Sequence, residues 1–283
     1  MTKLRVLDLF SGIGGFSLGL ERTGGFETVA FCEIEPFPRK VLAKHWPEVP
    51  CYEDVTKLTG DILARDGIAV DVITGGFPCQ DISCAGKKAG IGEGTRSGLW
   101  SEIVRLIGEL SPRYVIVENV AALLSGPSEQ RGGWFGRILG DLAECGYDAE
   151  WENIPAAAMG APHRRERIWI VAYPRAHTGP DSQADAERAN PNSAGPHRAQ
   201  ININGSPEQG HEQVGVAGSM GEVLAYATGK PGIGREWRVE PDVVRVANGV
   251  SKRVDRLKGL GNAVIPQIPE LIGRAILTAE AGK

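Results

Sequence analysis

Residues 4–15 have the sequence Leu4-Arg5-Val6-Leu7-Asp8-Leu9-Phe10-Ser11-Gly12-Ile13-Gly14-Gly15, an apolar run followed by a glycine-rich turn. A helix pattern comes next, over about 14–22, so the stretch predicts a buried strand that passes through the glycines into a helix. Such a turn presents backbone N–H groups to a negatively charged ligand. The dinucleotide-binding pattern would need glycine at position 17, where this chain has Ser17, so the glycines alone do not identify the ligand.

Strand and helix patterns alternate from the first residue to about 173, which predicts an α/β fold: a mostly parallel sheet with helices on both faces. The predicted strands cover residues 4–10, 28–34, 70–74, 114–117, 151–154 and 168–172. The predicted helices cover residues 14–22, a segment starting at Pro36, 99–110 and 134–145. A later apolar helical segment, 264–279, is expected to return to this sheet.

The alternation stops at Pro174. Residues 174–200 contain no aromatic residue and no Val, Ile, Leu or Met, so they cannot bury enough apolar surface to offset the cost of ordering them. We therefore divide the chain into a first domain over 1–173, a small insert over 174–243 with long loops, and a return segment over 244–283 that completes the first domain. We expect 174–200 to be poorly ordered in the absence of a ligand.

The bulk composition is that of an intracellular globular protein. The chain has 283 residues and a formal net charge of −4, with compact basic clusters at 163–167 and 252–258 that suit a phosphate backbone better than the overall charge does. No run of residues has the length and apolar character of a membrane span, and no signal peptide is expected. The five cysteines are odd in number and lack disulfide or zinc spacing, which favours reduced thiols, no metal and a cytoplasmic location.

One cysteine stands out from the other four by its position. The sequence Gly75-Gly76-Phe77-Pro78-Cys79-Gln80 follows the predicted strand 70–74, so Cys79 lies on a loop at the carboxyl end of a strand, where open α/β sheets bind their ligands. Cys79 is a candidate nucleophile on this ground. Taken alone, it is equally compatible with a small buried packing residue.

Charged residues follow the other predicted strands. Glu33 comes about 20 residues after the glycine turn, where an acidic side chain can accept both hydroxyls of a ribose, and Asp54 can accept from an exocyclic amine. Glu118 ends the strand that contains residues 115–117 and can face the same pocket as Cys79. Arg165 and Arg167 precede the strand 168–172, and their spacing puts both side chains on one face if the stretch is extended.

These motifs together resemble the DNA (cytosine-5)-methyltransferase family, and they occur in the family's order. The matching pieces are residues 8–16, Glu33, Asp54, residues 77–80 with Ser83, residues 96–100, residues 118–120, residues 165–167 and residues 261–264. The stretches 245–250 and 253–257 resemble bacterial and phage members in particular. His163 stands where many members have Gln. The resemblance covers about 1–173 and 245–283, and residues 174–243 match nothing that assigns them.

The resemblance implies a Rossmann-like fold and transfer of a methyl group from S-adenosylmethionine to C5 of a flipped cytosine in duplex DNA. By the same resemblance Cys79 attacks C6, Glu118 bonds N3 and the exocyclic amine, and Arg167, with Arg165, binds the base carbonyl or the flipped phosphate. The product of the cofactor is S-adenosylhomocysteine. The insert 174–243 becomes the target-recognition domain, and the loop 80–97 is expected to close over DNA.

The implied ligand contacts fall into two sets. The cofactor contacts are Asp8, Phe10, Ser11, Gly12, Gly14, Gly15, Phe16, Glu33, Ile34, Asp54, Val55, Phe77, Pro78, Asn262, Ala263 and Val264. The DNA contacts are Gln80, Ser83, Arg96, Ser97, Asn119 and Arg165. The partner is therefore double-stranded DNA, no membrane is involved, and a monomer is expected. A cognate restriction endonuclease is compatible with the family but does not follow from the sequence.

Three alternatives remain open at this point. An RNA-directed member of the same family would methylate tRNA, although the ending at 245–258 and the insert favour DNA. A non-catalytic DNA-binding relative is disfavoured because Cys79, Glu118 and Arg167 are all retained. A nicotinamide oxidoreductase is disfavoured by Ser17 and by the Pro-Cys-Gln loop.

Overall fold

The computed structural model describes residues 2–78, 99–126, 133–161, 163–175 and 259–282. Its strands are β1 (Leu4–Leu9), β2 (Phe26–Cys32), β3 (Cys51–Tyr52), β4 (Val72–Gly75), β5 (Tyr114–Val120), β6 (Tyr147–Pro155) and β7 (Glu166–Pro174). Its helices are α1 (Gly15–Glu21), α2 (Pro36–His45), α3 (Gly60–Arg65), α4 (Trp100–Leu110), α5 (Gly133–Glu144) and α6 (Gln267–Ala281). Single 3₁₀ turns occupy Ala121–Leu124 and Ala156–Met159.

The seven strands form one sheet in the order β3-β2-β1-β4-β5-β7-β6. The first five of these are parallel, and β7 runs antiparallel to both β5 and β6. The connection from β6 to β7 is too short for a crossover helix, so these two strands can only pair antiparallel. The mostly parallel, Rossmann-like sheet predicted from the sequence is confirmed, and β7 is the strand that runs antiparallel to its neighbours.

Helices cover both faces of the sheet, as predicted, and each face has its own core. On one face the core contains Trp100, Ile103 and Leu106 of α4 with Phe135 and Ile138 of α5. On the other face Phe16 and Leu20 of α1 pack with Ile268, Ile272 and Ile276 of α6. Strand β1 supplies both cores, because its side chains alternate between the faces: Val6 points to the α6 side and Leu7 to the α4 side.

Two elements in the structure have no counterpart in the predicted order. Strand β3 has two residues and α3 has six, and both are too short to produce a periodic pattern. Strand β6 is longer than predicted, starting at Tyr147 rather than at residue 151. The insert 174–243 and the poor order expected for 174–200 lie outside the described residues, apart from their first two positions. No helix in the described ranges combines the length and apolar character needed to span a bilayer.

The last helix, α6, packs against the first one, α1, on the same face of the sheet. Two glycines of α1 make this contact possible. A side chain at Gly19 would begin 2.2 Å from the Pro266 carbonyl oxygen, and one at Gly15 would begin 2.5 Å from the Val264 carbonyl oxygen. The backbone of residues 264–266 therefore lies directly on α1, at the helix end that borders the glycine turn.

Gly19→Ala is expected to destabilise the protein by about 1–3 kcal/mol, because the new methyl group overlaps the Pro266 backbone and forces α6 away from α1. Gly108→Ala is the matched control: Gly108 is also helical, and a side chain there meets nothing within 4 Å. The free energy of unfolding of the control should rise by up to about 1 kcal/mol, because alanine has a better helix propensity than glycine. Urea unfolding measures the change in the free energy of unfolding for each variant. An equal change in the two variants would contradict the close contact between Gly19 and Pro266.

Candidate active site

Three acidic side chains lie at the carboxyl-terminal ends of three neighbouring strands. Asp8 lies in β1, Glu33 directly follows the last residue of β2, and Asp54 is the second residue after β3. Because β1, β2 and β3 are adjacent and parallel, these side chains share one edge of the sheet. That edge lies beside the β1–β4 junction, where the order of the strands reverses and open α/β sheets bind their ligands.

The glycine turn after β1 has a left-handed backbone at two of its glycines. Gly12 has φ +53° and Gly14 has φ +85°, a region that glycine enters without steric cost. The Glu33 carboxylate holds this turn: its Oε2 accepts from the Gly12 N–H at 2.8 Å, and its Oε1 accepts from the Glu35 N–H at 2.7 Å. Glu33 is 7% exposed, so it is pre-oriented at the rim of the turn.

Asp8 is fully buried beneath the same turn. One of its carboxylate oxygens accepts from the Ser17 hydroxyl at 2.8 Å and the other from the Thr74 hydroxyl at 2.9 Å. These bonds tie β1 to α1 and to β4. The structure therefore favours a supporting role for Asp8 over the direct cofactor contact predicted from the sequence, because its side chain has no exposed surface.

Burial raises the pKa of Asp8 from 3.8 to about 7, against the opposing effect of the Ser17 and Thr74 hydroxyls. Between about pH 4 and 7 the folded protein then holds a proton that the unfolded chain has released, so the free energy of unfolding declines as pH rises through this window. Asp8→Asn is expected to remove this decline, so that the variant gains stability relative to the parent between about pH 5 and 8.

Urea unfolding at several pH values measures that gain. Asparagine keeps an acceptor oxygen for one hydroxyl, and its amide can donate to the oxygen of the other, so the variant should fold. Asp61→Asn is the control, because Asp61 is an exposed aspartate on α3. An unchanged pH slope in Asp8→Asn would show that Asp8 does not hold the extra proton.

Asp54 begins a short turn rather than projecting freely from the sheet. Its Oδ1 accepts from the backbone N–H of Thr56 at 3.0 Å and from the Thr56 hydroxyl at 2.7 Å, and these bonds lower the pKa of Asp54. Val55 is buried in the core, whereas Ile34 on the neighbouring strand end is 63% exposed. An exposed apolar side chain between two carboxylates suits a flat heteroaromatic ring with polar edges.

A second group of charged residues lies around β5. Glu118 was predicted to end its strand, but it lies within β5, two residues before the last strand residue Val120. Its Oε1 is 2.9 Å from Nε of Arg167. A side chain at Gly76 would begin 3.2 Å from the other oxygen of Glu118. The loop that leads from β4 to Cys79 therefore leaves the sheet directly beside Glu118. Burial raises the pKa of Glu118, and the charges of Arg167 and Arg165 partly oppose this rise.

The two arginines whose charges act on Glu118 lie in different backbone settings. Arg167 lies in β7, but Arg165 precedes the strand and has φ +31°, so the condition of an extended backbone for both arginines is not met at Arg165. Arg165 instead donates from Nη2 to the Ala263 carbonyl oxygen at 2.8 Å. It thereby joins the residues next to Glu118 to the predicted cofactor contacts 262–264.

Asn119 anchors the loop that leads to Cys79. Its amide nitrogen donates to the Phe77 carbonyl oxygen at 3.2 Å, and its amide oxygen accepts from the Val120 N–H at 2.9 Å. Asn119 is 2% exposed, so the structure favours this positioning role over the predicted contact with DNA. Cys79 itself and the predicted DNA contacts Gln80, Ser83, Arg96 and Ser97 lie outside the described residues.

The two predicted aromatic contacts are packed inside the protein. Phe16 meets Trp169 edge to face with ring centroids 5.5 Å apart, and Phe77 packs against Trp100 at 5.6 Å. Both phenylalanines are at most 3% exposed, so their contact with a cofactor stays a prediction. Ser11 donates from its N–H to the Cys32 carbonyl oxygen at 3.3 Å, which joins the turn to β2.

The described residues fit S-adenosylmethionine as the group for this edge. The left-handed glycine turn leaves room for a backbone-bound amino-acid moiety, and the pre-oriented Glu33 can accept from ribose hydroxyls. Ile34 offers an exposed apolar contact for a purine, with Asp54 on the next strand end as an acceptor for its amine. The residues that would perform chemistry on a second substrate, Glu118 and Arg167, lie on the adjoining strands.

Comparison with known proteins agrees with this arrangement. A family model for C-5 cytosine-specific DNA methylases matches residues 4–214. The type II methyltransferase M.Sau3AI of Staphylococcus aureus is 38% identical over 184 residues, which cover 61% of this chain and 44% of that protein. The type II methyltransferase M2.BsuMI of Bacillus subtilis is 36% identical over 173 residues, 60% of this chain and 42% of the relative. The matched part thus spans less than half of each relative.

Solved structures share the same fold. A prophage-encoded Escherichia coli protein named as a DNA modification methyltransferase superposes with a TM-score of 0.50 at 29% identity, over 61% of this chain and 47% of that one. A Spodoptera frugiperda DNMT2 variant superposes with the same TM-score of 0.50 at 21% identity, which supports the fold alone. The sheet order, the carboxylates along its edge and the family match over residues 4–214 lead to one assignment: the chain belongs to the C-5 cytosine-specific DNA methylase family.

Proposed function

We propose that this protein transfers a methyl group from S-adenosylmethionine to C5 of cytosine in duplex DNA. The observation that carries the proposal is the Glu118–Arg167 pair at 2.9 Å beside Gly76, where the loop to Cys79 begins. This pair lies on the same edge of the sheet as the glycine turn and Glu33. A buried acid and the glycine turn therefore share this edge of the sheet, and the loop that begins at Gly76 leads on to Cys79 in the sequence.

The proposed mechanism begins at Cys79. Its thiolate adds to C6 of a cytosine that has been flipped out of the helix, and a carbon–sulfur bond forms while the electron pair moves toward C5. S-adenosylmethionine, when bound, supplies the electrophilic methyl group that C5 takes up. Loss of the C5 proton to a base and breakage of the bond between Cys79 and C6 then release 5-methylcytosine and the thiolate.

Glu118 and Arg167 would stabilise the base during the addition. A Glu118 side chain with a raised pKa can hold a proton and donate it to N3 as charge builds up on the ring. Arg167 fixes the orientation of that carboxyl through Nε and leaves other guanidinium donors for the carbonyl oxygen of the base. Burial of the pair makes each of these interactions stronger than it would be in water.

The proposed cofactor contacts are those that the structure brings together at the strand ends. The glycine turn would bind the methionine part, Glu33 the ribose, and Ile34 with Asp54 the adenine. Asn262 is exposed and Val264 lies against Gly15, so the segment before α6 would close the cofactor site from its far side. The substrate would be double-stranded DNA, and we expect a monomer that acts in the cytoplasm.

The test is to incubate the purified protein with duplex DNA and S-adenosylmethionine and to sequence the product after bisulfite treatment. We expect protection of cytosines within one recurring sequence, and no protection without the cofactor. Transfer to tRNA but not to duplex DNA would replace the proposal by the RNA-directed alternative. Binding of both DNA and S-adenosylmethionine without any transfer would replace it by a non-catalytic role.

A further inference from the structure

The turn that carries Asp54 is held from outside by one arginine of α4. Arg105 donates from Nη2 to the Val55 carbonyl oxygen at 3.0 Å and to the Leu58 carbonyl oxygen at 2.8 Å. Both carbonyls belong to the turn 54–58, in which the N–H groups of Lys57 and Leu58 donate to the Asp54 carbonyl oxygen. One guanidinium nitrogen, which also lies 2.8 Å from Oε2 of Glu102, thus contacts the turn at Val55 and at its last residue, Leu58.

Two glutamates of α4 hold Arg105 in this orientation. Its Nε donates to Oε2 of Glu102 at 2.9 Å, and its Nη1 donates to Oε1 of Glu109 at 2.7 Å. Glu109 also contacts the start of α3, because its Oε2 accepts from the Gly60 N–H at 2.7 Å. We call Arg105, Glu102 and Glu109 the α4 bracket. It holds the backbone from Val55 to Gly60 on one side.

On the side of the sheet, the turn follows strand β3, which contains only two residues and is the edge strand. Val55 and Leu58 are buried against α4, so apolar packing holds the turn close to the helix. Apolar contacts do not fix the rotation of a turn, whereas hydrogen bonds from a charged guanidinium are short and directional.

Among the described residues, the polar partners of the Asp54 carboxylate all belong to this turn. Its Oδ1 is bound by the backbone and hydroxyl of Thr56, and its Oδ2 lies 3.4 Å from Nζ of Lys57. All of these partners are within the turn itself. A rotation of the turn would therefore carry the carboxylate with it, away from any ligand bound at the strand ends.

We propose that Arg105 is a positioning residue for the adenine end of S-adenosylmethionine: it fixes the turn 54–58 so that Asp54 can accept from the exocyclic amine. The proposal rests on the proposed function, since it takes that cofactor as the ligand. Arg105 does not touch the ligand in this scheme and acts only through the turn. Its loss should weaken cofactor binding and leave the chemical step intact.

The experiment measures the affinity for S-adenosylhomocysteine by calorimetry, with Arg105→Met compared with Arg274→Met. Arg274 provides a matched control because it makes an ion pair with Glu270 of the same spacing and the same 2.7 Å length as Arg105 with Glu109. Within the part of the chain that the structure describes, its guanidinium donates to no carbonyl group of another segment. We expect the dissociation constant to rise about tenfold in Arg105→Met and less than about twofold in the control. The turnover number at saturating cofactor should stay within about twofold of the parent. Arg105→Lys, which keeps the charge but loses the planar fork, should fall between parent and Arg105→Met.

A double-mutant cycle separates positioning from general damage. Asp54→Ala removes the acceptor. If Arg105 acts through Asp54, the double variant Asp54→Ala/Arg105→Met should bind S-adenosylhomocysteine almost as well as Asp54→Ala alone. Additive losses, or an Arg105→Met affinity equal to that of Arg274→Met, would overturn the inference. Failure of the parent protein to bind S-adenosylhomocysteine would instead overturn the proposed function, and the two outcomes are distinct. Thermal melting of each variant checks that the fold is retained.

Discussion

Replacing Cys79 by serine is expected to abolish methyl transfer, with a loss of more than about a thousandfold, while S-adenosylhomocysteine binds almost unchanged. A serine hydroxyl is hardly ionised at neutral pH, so it cannot add to C6 as a thiolate does. The glycine turn and Glu33 lie at the ends of other strands, so their geometry should not change in this variant. Single-turnover transfer of a labelled methyl group to duplex DNA measures the loss, and calorimetry measures the binding.

A matched variant and a trapping substrate sharpen this result. Cys145→Ser makes the same chemical change beyond the end of α5, away from the Glu118–Arg167 pair, and should keep full activity. A duplex that contains 5-fluorocytosine should capture the parent protein covalently, because fluorine cannot leave C5 as a proton does. Cys79→Ser should give no such adduct. An adduct in Cys79→Ser, or more than a tenth of parental activity, would remove Cys79 from the mechanism.

Replacing Glu118 by glutamine is expected to lower the turnover number by about a hundredfold or more, with little change in cofactor affinity. Glutamine fills the same space beside Gly76, but it cannot pass a proton to N3. It also leaves Arg167 without its buried carboxylate partner at 2.9 Å. A loss that appears only in the Michaelis constant for DNA would contradict the assignment of Glu118 to the chemical step.

The pH dependence tests the same residue in a second way. Burial raises the pKa of Glu118, and the positive charges of Arg167 and Arg165 oppose this rise. A step that needs protonated Glu118 becomes slower as pH rises through this pKa, which produces the falling limb of the rate profile. Arg167→Gln removes one opposing charge, so that limb should move to higher pH, whereas Arg167→Lys keeps the charge and should leave it close to its original position.

The shared edge of the sheet was predictable from the sequence, for a simple physical reason. Parallel strands in alternation with helices must all end on the same side, so residues that follow β1, β2, β3 and β4 are brought together whatever their distance in the chain. Glu33, Asp54 and the Cys79 loop could be assigned to one site on this basis. Glu118 lies within β5 instead of after it, and its side chain still faces the loop that begins at Gly76.

The supporting contacts were not predictable, because they join residues far apart in the chain without a periodic signal. Arg105 lies on the predicted amphipathic helix, but nothing in the pattern of that helix points to the Val55 and Leu58 carbonyl groups. The spacing of Arg165 and Arg167 places both side chains on one face only if the stretch is extended, and the positive φ at Arg165 has no marker in the sequence such as glycine. Asn119 is a predicted DNA contact only through the family resemblance, and its burial in β5 could not be read from the sequence.

The contact between α1 and the segment before α6 has a consequence for folding. Val264 and Pro266 lie on Gly15 and Gly19, although the two segments are far apart in the sequence. Arg165 likewise donates to Ala263, which lies 98 residues further along the chain. Contacts of such long sequence separation form slowly because of the loop entropy they cost, so we expect the packing around the glycine turn to be completed late in folding.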